Sequence, residues 1–449
     1  MMKLFGTDGI RGKVNSHPIT PETVLKIGMA IGKILYHKRA RNMILIGKDT
    51  RLSGYMIESA LTSGICSMGM NVTLVGPIPT PGVAYLTRTL RLDAGIVISA
   101  SHNSYEDNGI KIFSAMGFKL PDEQEQAIEQ LVLDEKLIQN RPEGSLIGKA
   151  FRLPDAIGRY IEYIKSTIPR MVDFEEFRIV VDSANGATYK VTPTLLRELG
   201  AAIISINDKP NGTNINADCG ALHLNKLSEA VKKTQAHLGI AHDGDGDRTI
   251  FCDENGKIID GDLIMAIWAK DLKNDGLLKN DTVVSTVMSN LGLEHYLNNC
   301  GITLLRSQVG DRYVVEQMLK SDCTFGGEQS GHIISLNHNT TGDGPITALQ
   351  ILNIMKKTNK TLSELVSDIT LYPQILKNIP VTSKKDINQC PDIMNAVAKA
   401  EEKLKDKGRV LVRPSGTEKK IRIMVEGQDE AMVAEITEDI SQAVQKSMT

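Results

Sequence analysis

Three aspartates at alternate positions, Asp243, Asp245 and Asp247 in AHDGDGDR, carry the clearest chemical signal in the chain. The intervening glycines let the backbone fold tightly, so three carboxylates can converge on one hard cation such as Mg²⁺ or Ca²⁺. The rival reading is an EF-hand loop, with Glu254 at its twelfth position. Arg248 stands at the sixth, where that loop requires Gly, and the flanks read as strands, so the EF-hand is rejected. Three carboxylates exceed the one or two usual for Mg²⁺, and a phosphate oxygen would complete the shell. The bland alternative is a solvated polar turn.

Four other segments carry polar residues at spacings that suit phosphate or sugar. ISASHNSYEDNGIK holds Ser99, Ser101, His102, Asp107, Asn108 and Lys111. A serine at a strand end is a candidate covalent carrier, although a free hydroxyl needs a base or a metal to act as a nucleophile. His102 is its neighbour in sequence, which does not establish that it faces the hydroxyl. The competing reading is a Ser-rich turn cornered at Asn108-Gly109. In GGEQSGH, Glu328 and Ser330 suit sugar hydroxyls and His332 suits proton transfer. In RPSGTEKKIR, Ser415, Gly416 and Thr417 form a turn whose N–H groups and hydroxyls could cradle phosphate, with Arg413 and Arg422 to grip it. An ordinary turn between two strands is the alternative there. KLFGTDGIRG contributes Thr7, Asp8 and Arg11, while Lys48 and Arg51 of GKDTRLSG are read as surface charges.

The elements that must position these residues repeat. NMILIG, a helix over 55–69, NVTLVG, a helix over 80–90 and AGIVIS give β-α-β-α-β, the signature of a parallel sheet. FRIVVDS, a helix over 187–199, AAIISI, a helix over 226–236 and HLGIAH repeat it. TVVSTV, a helix near 291–299, ITLLRS, a helix near 311–320 and CTFGG repeat it again. The third strand of each copy runs into SASHN, DGDGD or GEQSGH, and ligands of open parallel sheets collect at the carboxyl ends of strands. From Tyr372 onward a helix over 391–406, RVLVR, KIRIMVEG and a last helix from Asp429 predict a smaller α+β domain.

Composition narrows the class further. The 449 residues suggest about three domains. With 41% hydrophobic and 24% charged residues, disordered and fibrous classes are excluded. The balance of 52 basic against 54 acidic residues calls for no nucleic acid partner. No apolar run reaches about 18 residues, so no membrane span is expected. The six dispersed cysteines form no CxxC pair and read as reduced core thiols, and the N-terminus lacks a secretory apolar run, so a cytoplasmic protein is expected. Together, a hard-cation site, a nucleophilic serine, a polyol-suited loop and a phosphate cradle predict metal-dependent phosphoryl transfer on a small phosphorylated polyol.

SASHN with DNGIK, DGDGDR, GEQSGH and RPSGTE, in this order, resemble the motifs of the α-D-phosphohexomutase superfamily over essentially the whole chain. The resemblance implies three similar α/β domains of βαβαβ type with mixed sheets around a cleft, at 1–150, 151–255 and 256–371, and a C-terminal α+β domain at 372–449. It implies a phosphoserine at Ser101 that phosphorylates O1 of a hexose or hexosamine 6-phosphate. The resulting 1,6-bisphosphate, also the activator, would turn over and return a phosphoryl group from O6. Mg²⁺ would be held by Ser101, Asp243, Asp245 and Asp247. Lys111, Arg11, His102 and His332 would assist at the reacting group. Glu328 and Ser330 would bind sugar hydroxyls, and Arg413, Ser415, Gly416, Thr417 and Arg422 the non-reacting phosphate. KLFGTDGIRG, GEQSGH and VGDRYV most resemble members acting on glucosamine phosphates, which supply UDP-N-acetylglucosamine and peptidoglycan; mannose and glucose members more often carry Met at the position of Gln329. Ser104 and Lys419 stand where Pro is usual, and neither change removes a residue with a role. The same chemistry on mannose or glucose phosphates, and a non-catalytic phosphosugar-binding protein, are the alternatives. Whether the chain forms a homodimer is left open.

Overall fold

The structure, a computed structural model, describes residues 4–6, 8–37, 41–139, 141–381, 387–414 and 420–448. The chain divides into two compact units, residues 1–288 with 304–366, and residues 289–303 with 367–449.

The first unit contains three sheets of one design. The first comprises β1 (Ile10–Lys13), β2 (Met43–Lys48), β3 (Asn71–Pro77), β4 (Ala94–Ile98), β5 (Asp107–Ser114) and β6 (Ala150–Arg152), in the order β1-β5-β4-β2-β3-β6. The second holds β7 (Arg178–Asp182), β8 (Ala202–Ile206), β9 (Leu238–His242), β10 (Thr249–Asp253) and β11 (Ile258–Ile259), in the order β11-β10-β9-β7-β8. The third has β12 (Thr282–Thr286), β13 (Thr303–Ser307), β14 (Phe325–Gly327) and β15 (Ile333–Ser335), in the order β13-β12-β14-β15.

In every copy the first strand lies central, the second beside it and the third on its other flank. A fourth, antiparallel strand then pairs with the third. These fourth strands make each sheet mixed, as the resemblance implied. Segment Asp107–Ser114 pairs on both edges, with β1 and β4, so Asn108-Gly109 lies inside a strand and not at a turn corner. Gly109 is needed there, because a Cβ would come within 2.6 Å of the Ser99 carbonyl and 2.8 Å of the Ile10 carbonyl. The central strands are continuous Ile/Val/Leu runs because both faces are covered. Ile44, Ile46, Ile96, Ile98 and Ile110 have no exposed surface, and burying each contributes about 1.5–3 kcal/mol.

The architecture places three loops alike: residues 99–106 between β4 and β5, 243–248 between β9 and β10, and 328–332 between β14 and β15. These are the three loops that the sequence marks as chemical. The strands flanking 243–248 exclude the helices of an EF-hand.

The second unit has one antiparallel sheet, β16 (Gln374–Pro380), β17 (Gly408–Pro414) and β18 (Lys420–Gly427), in the order β16-β18-β17. Helices Pro391–Leu404 and Glu430–Met448 close a core that includes Ile393, Ile421, Ile423, Val425, Val433 and Ile440. Strand β16 was not anticipated. Among the described residues no helix is long and apolar enough to cross a membrane. Cys66, Cys219, Cys252, Cys300 and Cys323 are free thiols.

Candidate active site

The Asp243 loop turns sharply after β9, with Gly246 at φ 70°. Its three carboxylates are buried, and one oxygen of each lies within 4.8 Å of the others. Asp243 Oδ2 accepts from Ser101 Oγ at 2.6 Å. Asp245 Oδ2 accepts from Thr80 Oγ1 at 2.7 Å and Lys111 Nζ at 3.0 Å. Lys111 also lies 3.3 Å from Asp247 Oδ2 and from Asp8 Oδ2. Asp245 Oδ1 and Asp247 Oδ1 are buried without a hydrogen-bond partner. Oxygen-only donors with unsatisfied lone pairs, held close together, fit a hard divalent cation.

Burial raises the pKa of Asp243, and Asp247 and Asp245 beside it push it well above the usual carboxylate range. A cation between these carboxylates would oppose that mutual repulsion. Burial also works against the Asp247 carboxylate, but Lys111, His332 and Arg248 outweigh it and hold its pKa well down. Lys111 is buried too, yet Asp245, Asp8 and Asp247 keep its pKa well above the ordinary lysine value. It therefore remains a cation and serves as charge rather than base.

Ser101 meets this cluster from the end of β4. His102 Nδ1 lies 3.3 Å from Ser101 Oγ, so the two residues do face each other. Burial, reinforced by Arg248 and Arg11, pushes His102 down to about 4, which leaves the ring neutral at neutral pH. His332 behaves oppositely. Burial lowers it, but Asp247 (3.6 Å) and Asp311 (3.8 Å) lie on either side and lift it to about 9. The Gly342 N–H, 3.1 Å from Nε2, favours a bare nitrogen there. Two carboxylates against one amide favour the charged ring, which is an acid rather than a base near neutral pH.

Arg11 pairs with Asp8, and Asp8 also pairs with Lys119, which in turn reaches Asp311 at 2.6 Å. Burial opposes the Asp8 charge, but Lys111, Lys119 and Arg11 hold its pKa well below the usual range. Glu328 Oε1 accepts from Gly310 N (3.0 Å), and its Oε2 from Ser330 Oγ (3.3 Å). Glu328, Ser330 and His332 thus share one loop, as the motif suggested. Gln329 donates to Asp260 Oδ2 at 3.3 Å, and Asp260 caps the helix Gly261–Asn274.

In the second unit Arg413 of β17 stands directly opposite Arg422 of β18. Burial, with Arg422 alongside, lowers the pKa of Arg413. Arg422 Nε is buried without a hydrogen-bond partner. Like charges directly opposite each other destabilise a sheet unless an anion lies between them. Ser415, Gly416, Thr417 and Lys419, like Thr7, lie outside the described residues.

Sequence reasoning missed several groups here. Lys48 and Arg51 are not surface charges: both are buried, Lys48 on Glu58 (2.7 Å) and Arg51 on Asp49 (2.8 Å). Arg248 and Asp311 sit inside the quoted motifs DGDGDR and VGDRYV, so a signal existed. Thr80 and Lys119 had none.

Three copies of one mixed sheet deliver a serine, an aspartate triad and a Glu-Ser-His loop, and a small antiparallel domain follows: this is the anatomy of a phosphohexomutase. Family models described as phosphoglucomutase/phosphomannomutase match throughout: alpha/beta/alpha domain I at residues 2–139, domain II at 158–256, domain III at 260–372 and the C-terminal domain at 376–443. The chain belongs to this family, whose members are isomerases working by phosphoryl transfer. Its relatives include proteins named phosphoglucosamine mutase. That of Thermodesulfovibrio yellowstonii is 54% identical, covering 98% of each chain, and that of Citrifermentans bemidjiense is 53% identical, covering 100% of this chain and 99% of the relative. Among solved structures, a phosphoglucomutase/phosphomannomutase family protein from Burkholderia thailandensis superposes with a TM-score of 0.82 at 21% identity, covering 99% and 97% of the two chains. An Aspergillus fumigatus N-acetylphosphoglucosamine mutase, crystallised with GlcNAc-6P and magnesium, gives 0.65 at 17%, covering 99% and 96%. At these identities the likeness is one of fold.

Proposed function

We propose that the protein interconverts glucosamine 6-phosphate and glucosamine 1-phosphate through a phosphoserine at Ser101. The observation that carries this reading is the 2.6 Å approach of Ser101 Oγ to Asp243 inside a buried carboxylate cluster flanked by Lys111. The substrate follows from the names of relatives more than 50% identical over the whole chain.

In the forward half-reaction the bond from phosphorus to Ser101 Oγ breaks and a bond to the substrate O1 forms, with the O1 proton released and Ser101 Oγ taking up a proton. After the 1,6-bisphosphate turns over, the bond from phosphorus to O6 breaks and one to Ser101 Oγ forms, Ser101 Oγ losing its proton as O6 takes one up. Lys111 and Arg11 place fixed positive charge beside the moving group. His332, kept protonated, suits proton donation to a leaving oxygen, and neutral His102 suits accepting one. Asp243, Asp245 and Asp247, with an oxygen on Ser101, would hold Mg²⁺, which when bound supplies charge neutralisation for the phosphoryl group. Glu328 and Ser330 would orient sugar hydroxyls. Arg413 and Arg422, with Ser415, Gly416 and Thr417, would grip the phosphate that is not reacting. Hexosamine 1,6-bisphosphate would serve as activator by phosphorylating Ser101, and the product would feed amino-sugar cell-wall precursors in the cytoplasm.

The wording of the family models keeps mannose or glucose phosphates as a second reading. Phosphorus NMR of 1-phosphate formation from glucosamine, mannose and glucose 6-phosphates, side by side with Mg²⁺ and a trace of glucose 1,6-bisphosphate, separates the two. The proposal expects clear preference for glucosamine 6-phosphate. Preference for a neutral hexose would overturn the substrate, and no turnover on any would overturn the enzyme.

A further inference from the structure

Ser101 adopts φ 51°, the left-handed region. For a residue with a Cβ this conformation is strained, and something must hold it there. Its own backbone is gripped at both polar atoms. The Ser101 N–H donates to Ser99 Oγ at 2.9 Å. The Ser101 carbonyl accepts from Arg51 Nη2 at 2.9 Å and from Asn216 Nδ2 at 2.9 Å.

Arg51 does more than this. Its Nη2 also donates to the Asn103 carbonyl (2.9 Å), and its Nη1 donates to the carbonyls of Ser104 and Asp107, the latter at 3.1 Å. Its Nε donates to Asp49 Oδ2 at 2.8 Å, which also accepts from Ser99 Oγ at 2.5 Å. A guanidinium has five N–H donors, and each finds an acceptor here. The side chain has 0% exposure. Four carbonyl oxygens of the serine loop are therefore committed to one buried cation. This matters for a loop that must carry a dianion, because carbonyl oxygens turned toward a phosphoryl group would repel it.

The same carbonyls are held from a second element. Asn216 belongs to the segment between β8 and β9 and also donates to the Asn103 carbonyl at 2.9 Å. Gly244, between two of the clustered aspartates, presses on the same point. A Cβ at that position would lie 2.6 Å from the Ser101 carbonyl and 2.7 Å from Asn216 Nδ2. The Ser101 carbonyl is thus where the serine loop and the aspartate loop are locked in register.

We infer that Arg51, oriented by Asp49 and joined by Asn216, is a positioning residue of the reaction: it holds Ser101 in its left-handed conformation with Oγ aimed at the aspartate cluster. The inference rests on the reading of Ser101 as phosphoryl carrier. An arginine that merely staples the fold would move stability, with KM and kcat changing together. A positioning arginine moves the transfer step, because a displacement of about 1 Å of the reacting atom can cost about 100-fold in rate.

The test uses the full chain with Asn216→Ala and Arg51→Lys, the latter keeping the charge but not the fork. Each protein is incubated with Mg²⁺ and glucose 1,6-bisphosphate, and intact mass and peptide mapping report phosphorylation of Ser101. Rapid-quench single turnovers with glucosamine 6-phosphate then follow loss of the phosphoryl group. We expect transfer slowed about 10-fold in Asn216→Ala and about 100-fold in Arg51→Lys, with KM within about twofold of the parent and both proteins folded at the assay temperature, Asn216→Ala melting somewhat lower because Asn216 itself holds φ 57°. Should Arg51→Lys not fold, Asn216→Ala decides alone. Parent-like transfer in the variants overturns the inference, and so does a parallel loss in KM and kcat with an early melt. Absence of phosphate on Ser101 of the parent protein instead overturns the carrier reading beneath it.

Discussion

The aspartate–serine site of the first unit and the arginine pair of the second treat charge in opposite ways. Around Asp243, Asp245 and Asp247 the chain supplies its own counter-charges: Lys111 on two of the carboxylates, and Arg248 and His332 near Asp247. Only two buried oxygens, on Asp245 and Asp247, are left without a hydrogen bond. Around Arg413 and Arg422 the reverse holds. Two cations face each other across neighbouring strands, and among the described residues no carboxylate forms an ion pair with either. The first arrangement is preorganised, as stabilising a moving charge requires. The second, among the described residues, sets two guanidiniums opposite each other with no carboxylate partner, an arrangement suited to an anion. On the proposed function, the charges are paired in advance where the phosphoryl group would move, and face each other unpaired by a described carboxylate where the other phosphate would bind.

This contrast can be broken by substitution, most severely at the serine. Ser101→Ala should lower kcat by about 10⁴-fold or more, because it removes the proposed phosphoryl carrier. A coupled assay of 1-phosphate formation checks it, and a variant with appreciable turnover would end the phosphoserine account. Asp245→Ala should follow, with activity reduced about 10²–10³-fold and the response to added Mg²⁺ flattened. An Mg²⁺ titration identical to the parent's would remove Asp245 from the metal set.

A buried carboxylate elsewhere sharpens the comparison, because among the described residues no cation pairs with it. Asp343 is buried and accepts from Tyr160 Oη (2.8 Å), Asn339 Nδ2 (2.8 Å) and Ile346 N (2.9 Å). Burial pushes it up from 3.8 to about 6, against those hydrogen bonds. The folded protein thus keeps a proton between these values that the unfolded chain has lost. The stability it contributes is full below about 3.8 and disappears as pH rises through about 6, a change of at most about 3 kcal/mol. Asp343→Asn should remove that slope, so its melting temperature relative to the parent should improve between pH 4.5 and pH 7.5. Parallel melting curves at the two values would contradict the assignment. The smallest effect is expected at the arginine pair. Arg413→Ala should raise KM for the sugar phosphate about 10-fold while changing kcat less, since the group binds ground and transition states alike. A loss confined to kcat would place Arg413 with the chemistry instead.

Much of the site was legible because glycines, aspartates and serines clustered after the third strand of each copy, and those positions share one place in the topology. The positions of Asp243, Asp245, Asp247 and Ser101 follow directly from that pattern. What stayed illegible was held by long-range contacts. Arg51 looked like a surface charge because four of its five acceptors are backbone carbonyls, which have no sequence signature, more than fifty residues away or nearly so. Asn108-Gly109 looked like a turn, but pairing with β1 on one edge and the Ser99 N–H bond to the Gly109 carbonyl on the other overrode its local preference. Lys119 carried no signal because its partners Asp8 and Asp311 meet it only in the fold. Asp311 itself stood in a quoted motif, where its role was hidden by the same distance. Helices such as Gly344–Thr358, buried along most of their length, escaped because an element apolar on nearly every face has no polar stripe to reveal its period.

The most direct test of the account follows one phosphoryl group. The protein would be phosphorylated with glucose 1,6-bisphosphate and Mg²⁺, freed of small molecules, and mixed with glucosamine 6-phosphate while intact mass and phosphorus NMR are recorded together. The account predicts phosphate on Ser101 alone, lost from the protein as glucosamine 1,6-bisphosphate appears and regained as glucosamine 1-phosphate is released. Turnover of glucosamine 6-phosphate with Ser101 never phosphorylated, or a phosphoserine that the sugar phosphate cannot discharge, would contradict it.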